Sequence, residues 1–276
     1  VPHFLSMTAT PIPRSLALTL YGGLDISILD ELPKQRKKII TKIISPDKRK
    51  DAYELVDREI TIGRQVFIIA PLIEKQQGSG LSFFDEDTKS VKEEFNNISQ
   101  KIFPQYSVGL LHGKMSSRDK TKVMQDFINK KIDILVSTTV IEVGIDIPNA
   151  TIMLIENAEF FGLAQLHQLR GRVGRSYHQS YCLLFTNAQN EKTDLRLSAL
   201  EKYHSGFKLA EIDLQLRGPG SLIGLSQSGF PDLKVARLTD TIVFEKARAA
   251  ANWINNNLNS TQKDLIVKTS ETQHFE

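Results

Sequence analysis

The sequence has a single cysteine, Cys182, in 276 residues. One thiol closes no intramolecular disulfide and makes no cysteine-ligated zinc site. That excludes a disulfide-stapled secreted scaffold and a zinc-cysteine module, and it fits a reducing compartment. Runs of roughly 18 apolar residues are also missing, so no membrane-spanning helix is expected. The opening VPHFLSMTATPIPR lacks the charged-then-apolar order of an export signal, and a cytoplasmic location is expected. No Gly-x-x-x-x-Gly-Lys-Ser/Thr segment occurs, so the common backbone cradle for nucleoside triphosphate phosphates is absent from the chain. Charge of one sign is in no great excess either: 35 Lys and Arg face 32 Asp and Glu, a net +3. By itself that balance argues neither for nor against a nucleic-acid partner.

With 41% hydrophobic and 24% charged residues the chain has the composition of a packed globular protein. Its length suits about two domains, or one with appendages. Charge is unevenly placed: Lys34 to Lys50 holds eight basic residues against one acidic, Asp47. That pattern is open to a nucleic-acid contact and to a solvated linker face alike. The chain opens on Val1-Pro2 without an initiator Met, and a segment of something longer is expected. Residues 4–8 read as a short apolar strand entering the turn Thr10-Pro11-Ile12-Pro13. A helix starting near Pro13 is stopped by Gly22-Gly23.

Past the basic stretch, short apolar runs alternate with helical periods. Residues 66–70, 107–111, 132–137, 152–155 and 181–185 are continuous apolar runs without polar alternation, as in parallel strands buried on both faces. Helices are expected from Ser45-Pro46 to Gly63, where Ala52, Leu55, Val56, Glu59 and Ile60 carry the helical period with its apolar positions inward, and over 88–101. Two more are expected at 117–129, with Val123, Met124, Phe127 and Ile128 inward, and at 163–169. The predicted class is α/β, a mainly parallel sheet with helices on both faces, over about 39–188. Residues 76–87 read as a loop. Beyond 190 the pattern becomes helical at 191–204, 206–216 and 239–256, with Val243, Ala247, Ala250 and Ile254 on one face of the last helix and a glycine-rich stretch at 218–229.

Two segments carry chemistry. In Gln168-Leu169-Arg170-Gly171-Arg172-Val173-Gly174-Arg175, Arg172 and Arg175 each follow a glycine and are expected to set two guanidinium forks on one helix face. Such forks bind phosphate oxygens bidentately and stay charged at any working pH. A merely solvated basic helix is the plainer alternative, yet each glycine lowers helix propensity by about 1 kcal/mol. In Ser137-Thr138-Thr139 through Gly144-Ile145-Asp146, hydroxyls stand at the C-terminal end of a buried strand, where open α/β sheets bind ligands. Thr138 and Thr139 can donate to a phosphate, and Asp146 can accept from a ribose hydroxyl. Cys182, in an apolar strand, reads as core.

These two segments resemble motifs V and VI of the second motor domain of superfamily 2 helicases. Thr8-Ala9-Thr10-Pro11 looks like motif III, Gln65 to Glu74 stands where motif IV does, and His112-Gly113-Lys114-Met115 resembles the segment after the next strand. Within that superfamily the resemblance narrows to the RecG family, on Tyr21-Gly22-Gly23-Leu24-Asp25 through Pro33, Gly206-Phe207-Lys208 through Arg217-Gly218-Pro219-Gly220, and Gly224 to Gly229. The last two blocks are similar to the translocation motif shared with the transcription-repair coupling factor, which typically has Ala where Pro219 stands. Gly23 and Ser226 depart from the usual acidic and basic residues.

The resemblance implies a RecA-like three-layer lobe followed by a helical hairpin and C-terminal helices. It divides the chain into the end of a first motor domain and linker (1–38), a second RecA-like domain (39–188), a translocation motif (189–238) and a C-terminal helix and tail (239–276). It implies ATP and Mg2+, bound mainly by a first motor domain outside this chain. Arg172, Arg175 and Gln168 would be catalytic and Gly144 and Asp146 would line the nucleotide. Thr138, Thr139, His112 and Lys114 would meet DNA, and Arg196, Arg217 and Gln227 would couple the motor to translocation. His112 and His167 read as satisfied polar groups rather than acid-base catalysts, and no metal site of the chain's own is expected. The implied partners are branched double-stranded DNA, in recombination and repair, and the wedge and first motor domain of the same polypeptide, in a monomer. A coupling-factor type of duplex translocase and a non-catalytic DNA-binding module are the alternatives.

Overall fold

The computed structural model describes residues 36–71, 91–138, 147–188, 190–217 and 241–263, with residues 5, 7, 8, 27 and 29. The expected helix after Pro13, the Tyr21 to Pro33 block, the 76–87 loop and the 218–229 glycine-rich stretch lie outside them, apart from Ser27 and Leu29. Two compact units divide the described residues, one holding 5, 7, 8, 29 and those within 36–216, the other Ser27, Arg217 and 241–263.

In the larger unit, six strands form one sheet: β1 (Ile40–Ile44), β2 (Gln65–Ile69), β3 (Val108–Leu111), β4 (Ile134–Ser137), β5 (Ala150–Ile155) and β6 (Tyr181–Phe185). Their order is β1-β6-β5-β2-β4-β3, and every neighbouring pair is parallel. The helices are α1 (Arg49–Thr61), α2 (91–97, continued by a π-helical turn at Ile98–Ile102), α3 (Ser117–Ile128), α4 (Leu163–Arg170), α5 (Glu191–Lys202) and α6 (Gly206–Arg217). Five strands fall on the expected apolar runs. β1 does not: Thr41 faces inward while Ile40 and Lys42 lie outward, and a half-covered edge strand inside a basic stretch reads as charge.

Strand residues alternate between two cores, one on each face of the sheet. Val66 and Ile68 of β2 meet Ala52, Val56 and Ile60 of α1 and Val91 of α2. Phe67 and Ile69 share the other core with Phe127 of α3, Leu163, Leu166 and Leu169 of α4, and Leu197 and Leu200 of α5. Each fully buried side chain of this size contributes about 1.5–3 kcal/mol. The result is a three-layer α/β lobe. Ile128, expected inward, is 43% exposed because α3 ends there and its last turn rotates that position away from Phe127. Leu5 and Met7, expected in a strand, carry none and are 79% and 85% exposed. The six-stranded sheet offers them no partner, and an unpaired strand leaves its backbone polar groups without bonds.

In the smaller unit α7 (Thr241–Asn257) is the long element. Val243, Ala247 and Ala250 of its expected inward face are exposed, and Ile254 is half-buried. Among the described residues no helix is long and apolar enough to cross a membrane.

Candidate functional site

The segment with the two expected phosphate-binding arginines begins in α4. Leu163, Leu166 and Leu169 seat that helix on the sheet. The expectation of two arginines on one helix face is corrected here: α4 ends at Arg170, Gly171 caps it, and Arg172 and Arg175 follow on a turn. Gly174 has φ +72°, the left-handed region that side chains disfavour, and a Cβ there would stand 2.8 Å from Cγ1 of Ile39. Both the backbone angle and the close approach require glycine, so the helix could not have run on through this point. Arg175 is exposed, its Nε donating to the Gly171 carbonyl at 3.2 Å. Arg172 and Gln168 are half-buried.

Arg170, the last residue of α4, joins three elements. Its guanidinium is buried and donates to the carbonyls of Leu200 (2.6 Å), Tyr203 (3.0 Å) and His204 (3.3 Å). It also donates to Nδ1 of His167 at 3.0 Å. Arginine has no acceptor, so the His167 proton sits on Nε2. Burial, helped by the Arg170 charge, pushes His167 down to about 4, and it is neutral at pH 7. The arginine thus ties the C-terminus of α4 to the end of α5 and the turn before α6. A sequence signal existed, since Leu163, Leu166 and Arg170 share one helix face by spacing.

A second cluster stands at the C-terminal edge of the sheet. Leu111 pairs with Ser137 at the ends of β3 and β4, so His112 and Thr138 leave the sheet side by side. The Thr138 amide donates to the Leu111 carbonyl at 3.3 Å. Its hydroxyl and Nδ1 of His112 are buried and have no hydrogen-bond partner among the described residues. Burial and the charges of Lys92, Lys114 and Lys120 hold His112 below its usual value. The Lys120 ammonium donates to the Gly113 carbonyl at 2.6 Å. Ser116 caps α3 by accepting from the Asp119 amide at 3.2 Å.

Connections from β2 and β5 leave in opposite directions, which makes their boundary the topological switch point. An ion pair not anticipated from the sequence stands there: Arg49 donates to both carboxylate oxygens of Glu156, at 3.3 and 3.0 Å. The guanidinium lies 4.6 Å from the Phe185 ring centre. Burial, with the neighbouring charge of Glu94, pushes Glu156 up to about 7 against the pull of Arg49.

On the edge toward α5, an Arg196 guanidinium nitrogen donates to the Glu159 carbonyl at 2.5 Å. Arg217 closes α6. Thr139, Gly144, Asp146 and Gln227 lie outside the described residues. Cys182 is buried core, its thiol pushed up to about 12 by burial.

A wholly parallel three-layer lobe of this strand order, with arginines on a glycine turn behind α4 and polar groups at the strand ends, is a RecA-like lobe. The family model for the helicase conserved C-terminal domain matches residues 47–177, and that for the C-terminal part of domain 3 of the ATP-dependent DNA helicase RecG matches 203–267. The chain is 53% identical over 251 residues to the RecG helicase of a Synechocystis species, covering 91% of this chain and 29% of that protein. It is 48% identical over 279 residues to the Aquifex aeolicus one, covering 97% and 34%. A solved structure of RecG bound to a three-way DNA junction matches with TM-score 0.66 and 44% identity, over 86% of this chain and 30% of that one. The chain belongs to the RecG family, and it spans about a third of the length of the curated relatives it matches.

Proposed function

We propose that this chain is the C-terminal motor portion of an ATP-dependent DNA helicase that remodels branched DNA, such as stalled forks and Holliday junctions. The observation that carries the reading is the exposed Arg175 on a turn that glycine alone permits, beside half-buried Arg172. A guanidinium so placed can enter a phosphate site presented by a second lobe and offset charge on the transferring phosphoryl group. Such a finger is worth about 10³ to 10⁵ in rate.

The donors here are cationic, which fits phosphate oxygens and is the wrong sign for Mg2+. Carboxylates or hydroxyls of the first motor lobe would hold the metal, whose chemistry is to neutralise phosphate charge. Gly144 and Asp146 are assigned to the nucleotide, with Gln168 linking that side to the DNA side. Thr138, Thr139, His112 and Lys114 are assigned to the DNA backbone, where the charges of Lys92, Lys114 and Lys120 around His112 suit phosphate oxygens. Arg196, Arg217 and Gln227 are assigned to coupling closure of the motor to movement of the hairpin α5–α6. Branched DNA as the substrate is supported by the relative solved on a three-way junction.

The test uses a polypeptide of the relatives' full length. Arg175→Ala should lower junction-stimulated ATP turnover by about 10³-fold or more while junction affinity stays within about threefold, because phosphate contacts to DNA lie elsewhere. Turnover that survives the substitution would remove Arg175 from the nucleotide site.

A further inference from the structure

The segment entering β1 is bonded to the turn that carries Arg175. The Arg36 guanidinium donates from Nε to the Gly174 carbonyl at 2.6 Å and from a terminal nitrogen to the Val173 carbonyl at 3.3 Å. Two successive carbonyls of that turn are therefore held by one planar fork, a geometry a lysine cannot reproduce. Three residues on, the Ile39 side chain fills the space left by the absent Cβ of Gly174, and Ser180 closes it from the other side. The Lys38 carbonyl accepts from the Gln179 side chain at 2.9 Å, and the Ile40 amide donates to the Ser180 carbonyl at 3.0 Å. Residues 36–40 thus stitch both ends of the loop, at 173–174 and at 179–180. Beneath it Val173 is fully buried, so the turn is pinned from below by packing and from the side by Arg36. Arg175 itself is exposed, with its Nε on the Gly171 carbonyl. Its direction follows from the backbone of the residue before it.

We infer that Arg36 is a positioning residue for Arg175: by holding the Val173 and Gly174 carbonyls it fixes the turn that aims the finger. This rests on the reading of Arg175 as a phosphate-binding finger. A finger acts over hydrogen-bond distances, and a displacement of about 1 Å at a reacting group can cost on the order of 10²-fold. A loop held by two glycines needs such an external hold, since its own backbone supplies little stiffness. The arrangement also makes the segment before β1 part of the nucleotide machinery: a pull on it reaches the finger turn through two hydrogen bonds. The basic stretch from Lys34 to Lys50 is then in part a brace, with Arg36 turned inward.

The test is made in a full-length family protein carrying these residues, bound to a three-way junction. It measures affinity for ADP alone and for ADP with aluminium fluoride, which mimics the transferring phosphoryl group. Arg36→Ala should weaken the fluoride complex by about 10- to 100-fold and leave ADP within about twofold. Arg36→Lys, which keeps the charge and lacks the fork, should fall between. Adding Arg36→Ala to Arg175→Ala should cause no further loss, because the brace has nothing left to aim. If Arg36→Ala does not fold, Arg36→Lys decides, with a loss of about fivefold expected for a missing fork contact. Parent-like fluoride affinity in the Arg36 variants alongside a loss in Arg175→Ala overturns the inference and leaves the finger standing. A parallel fall in ADP and fluoride affinity also overturns it, since that marks a general structural role. Parent-like fluoride affinity in Arg175→Ala overturns the finger reading itself, and the positioning role with it.

Discussion

Glu156 holds its proton more tightly folded than unfolded. Its side chain is 4% exposed at the switch point and its carboxyl is pushed up to about 7 by burial and by Glu94, against about 4.3 in an open chain. The folded state therefore binds more protons between those values, and stability falls as pH rises. The contribution is complete below the unfolded value and lost as pH climbs through about 7. Urea unfolding should show the stability difference between the parent chain and Glu156→Gln changing by on the order of 2 kcal/mol from pH 5 to pH 8, in favour of the glutamine at high pH. The amide oxygen of glutamine still accepts from Arg49, so the ion-pair geometry is largely kept. A difference independent of pH would mean that Arg49 neutralises Glu156 more fully than its burial allows. Nothing in the sequence marks this residue, because Arg49 and Glu156 lie 107 positions apart and only the folded sheet, in which β2 pairs with β5, brings their elements together.

At the level of elements, what could be read from the sequence was what repeats. β2, β4, β5 and β6 are continuous apolar runs, and the inner faces of α1 and α4 follow helical spacing. β1 was hidden because its inward residue is Thr41 and its neighbours are basic. The arginine pair reads as helix in the sequence and stands beyond it in the fold, since the end of α4 depends on a backbone angle at Gly174 and its packing against Ile39. Arg170 shows how one residue joins elements. It satisfies three backbone carbonyls at the end of α5 and beyond it, and a buried acceptor left unmade costs about 1–3 kcal/mol. Arg170→Ala should therefore destabilise the lobe by on the order of 3 kcal/mol, with amide exchange rising first at 200–204. A loss of stability without local exchange at 200–204 would show that α5 is held by Leu197 and Leu200 alone.

For the whole molecule, the even charge and the missing phosphate cradle belong together. The described lobe offers arginines on a turn and hydroxyl, imidazole and lysine groups at strand ends, which are donors for phosphates, whereas the sequence contains no Gly-x-x-x-x-Gly-Lys-Ser/Thr loop to hold a nucleotide in line for attack. A finger without a bound triphosphate has no transition state to stabilise, since phosphoryl transfer depends on positioning as much as on charge. The purified 276-residue chain, shown by circular dichroism to be folded, should therefore release phosphate from ATP at the rate of buffer alone, with or without a three-way junction. Arg175→Ala should change nothing in that setting, in contrast to the loss of turnover expected of it in a polypeptide of the relatives' full length. Junction-stimulated phosphate release by the isolated chain would require a nucleotide cradle among these residues, and the division of labour between two lobes would then be wrong.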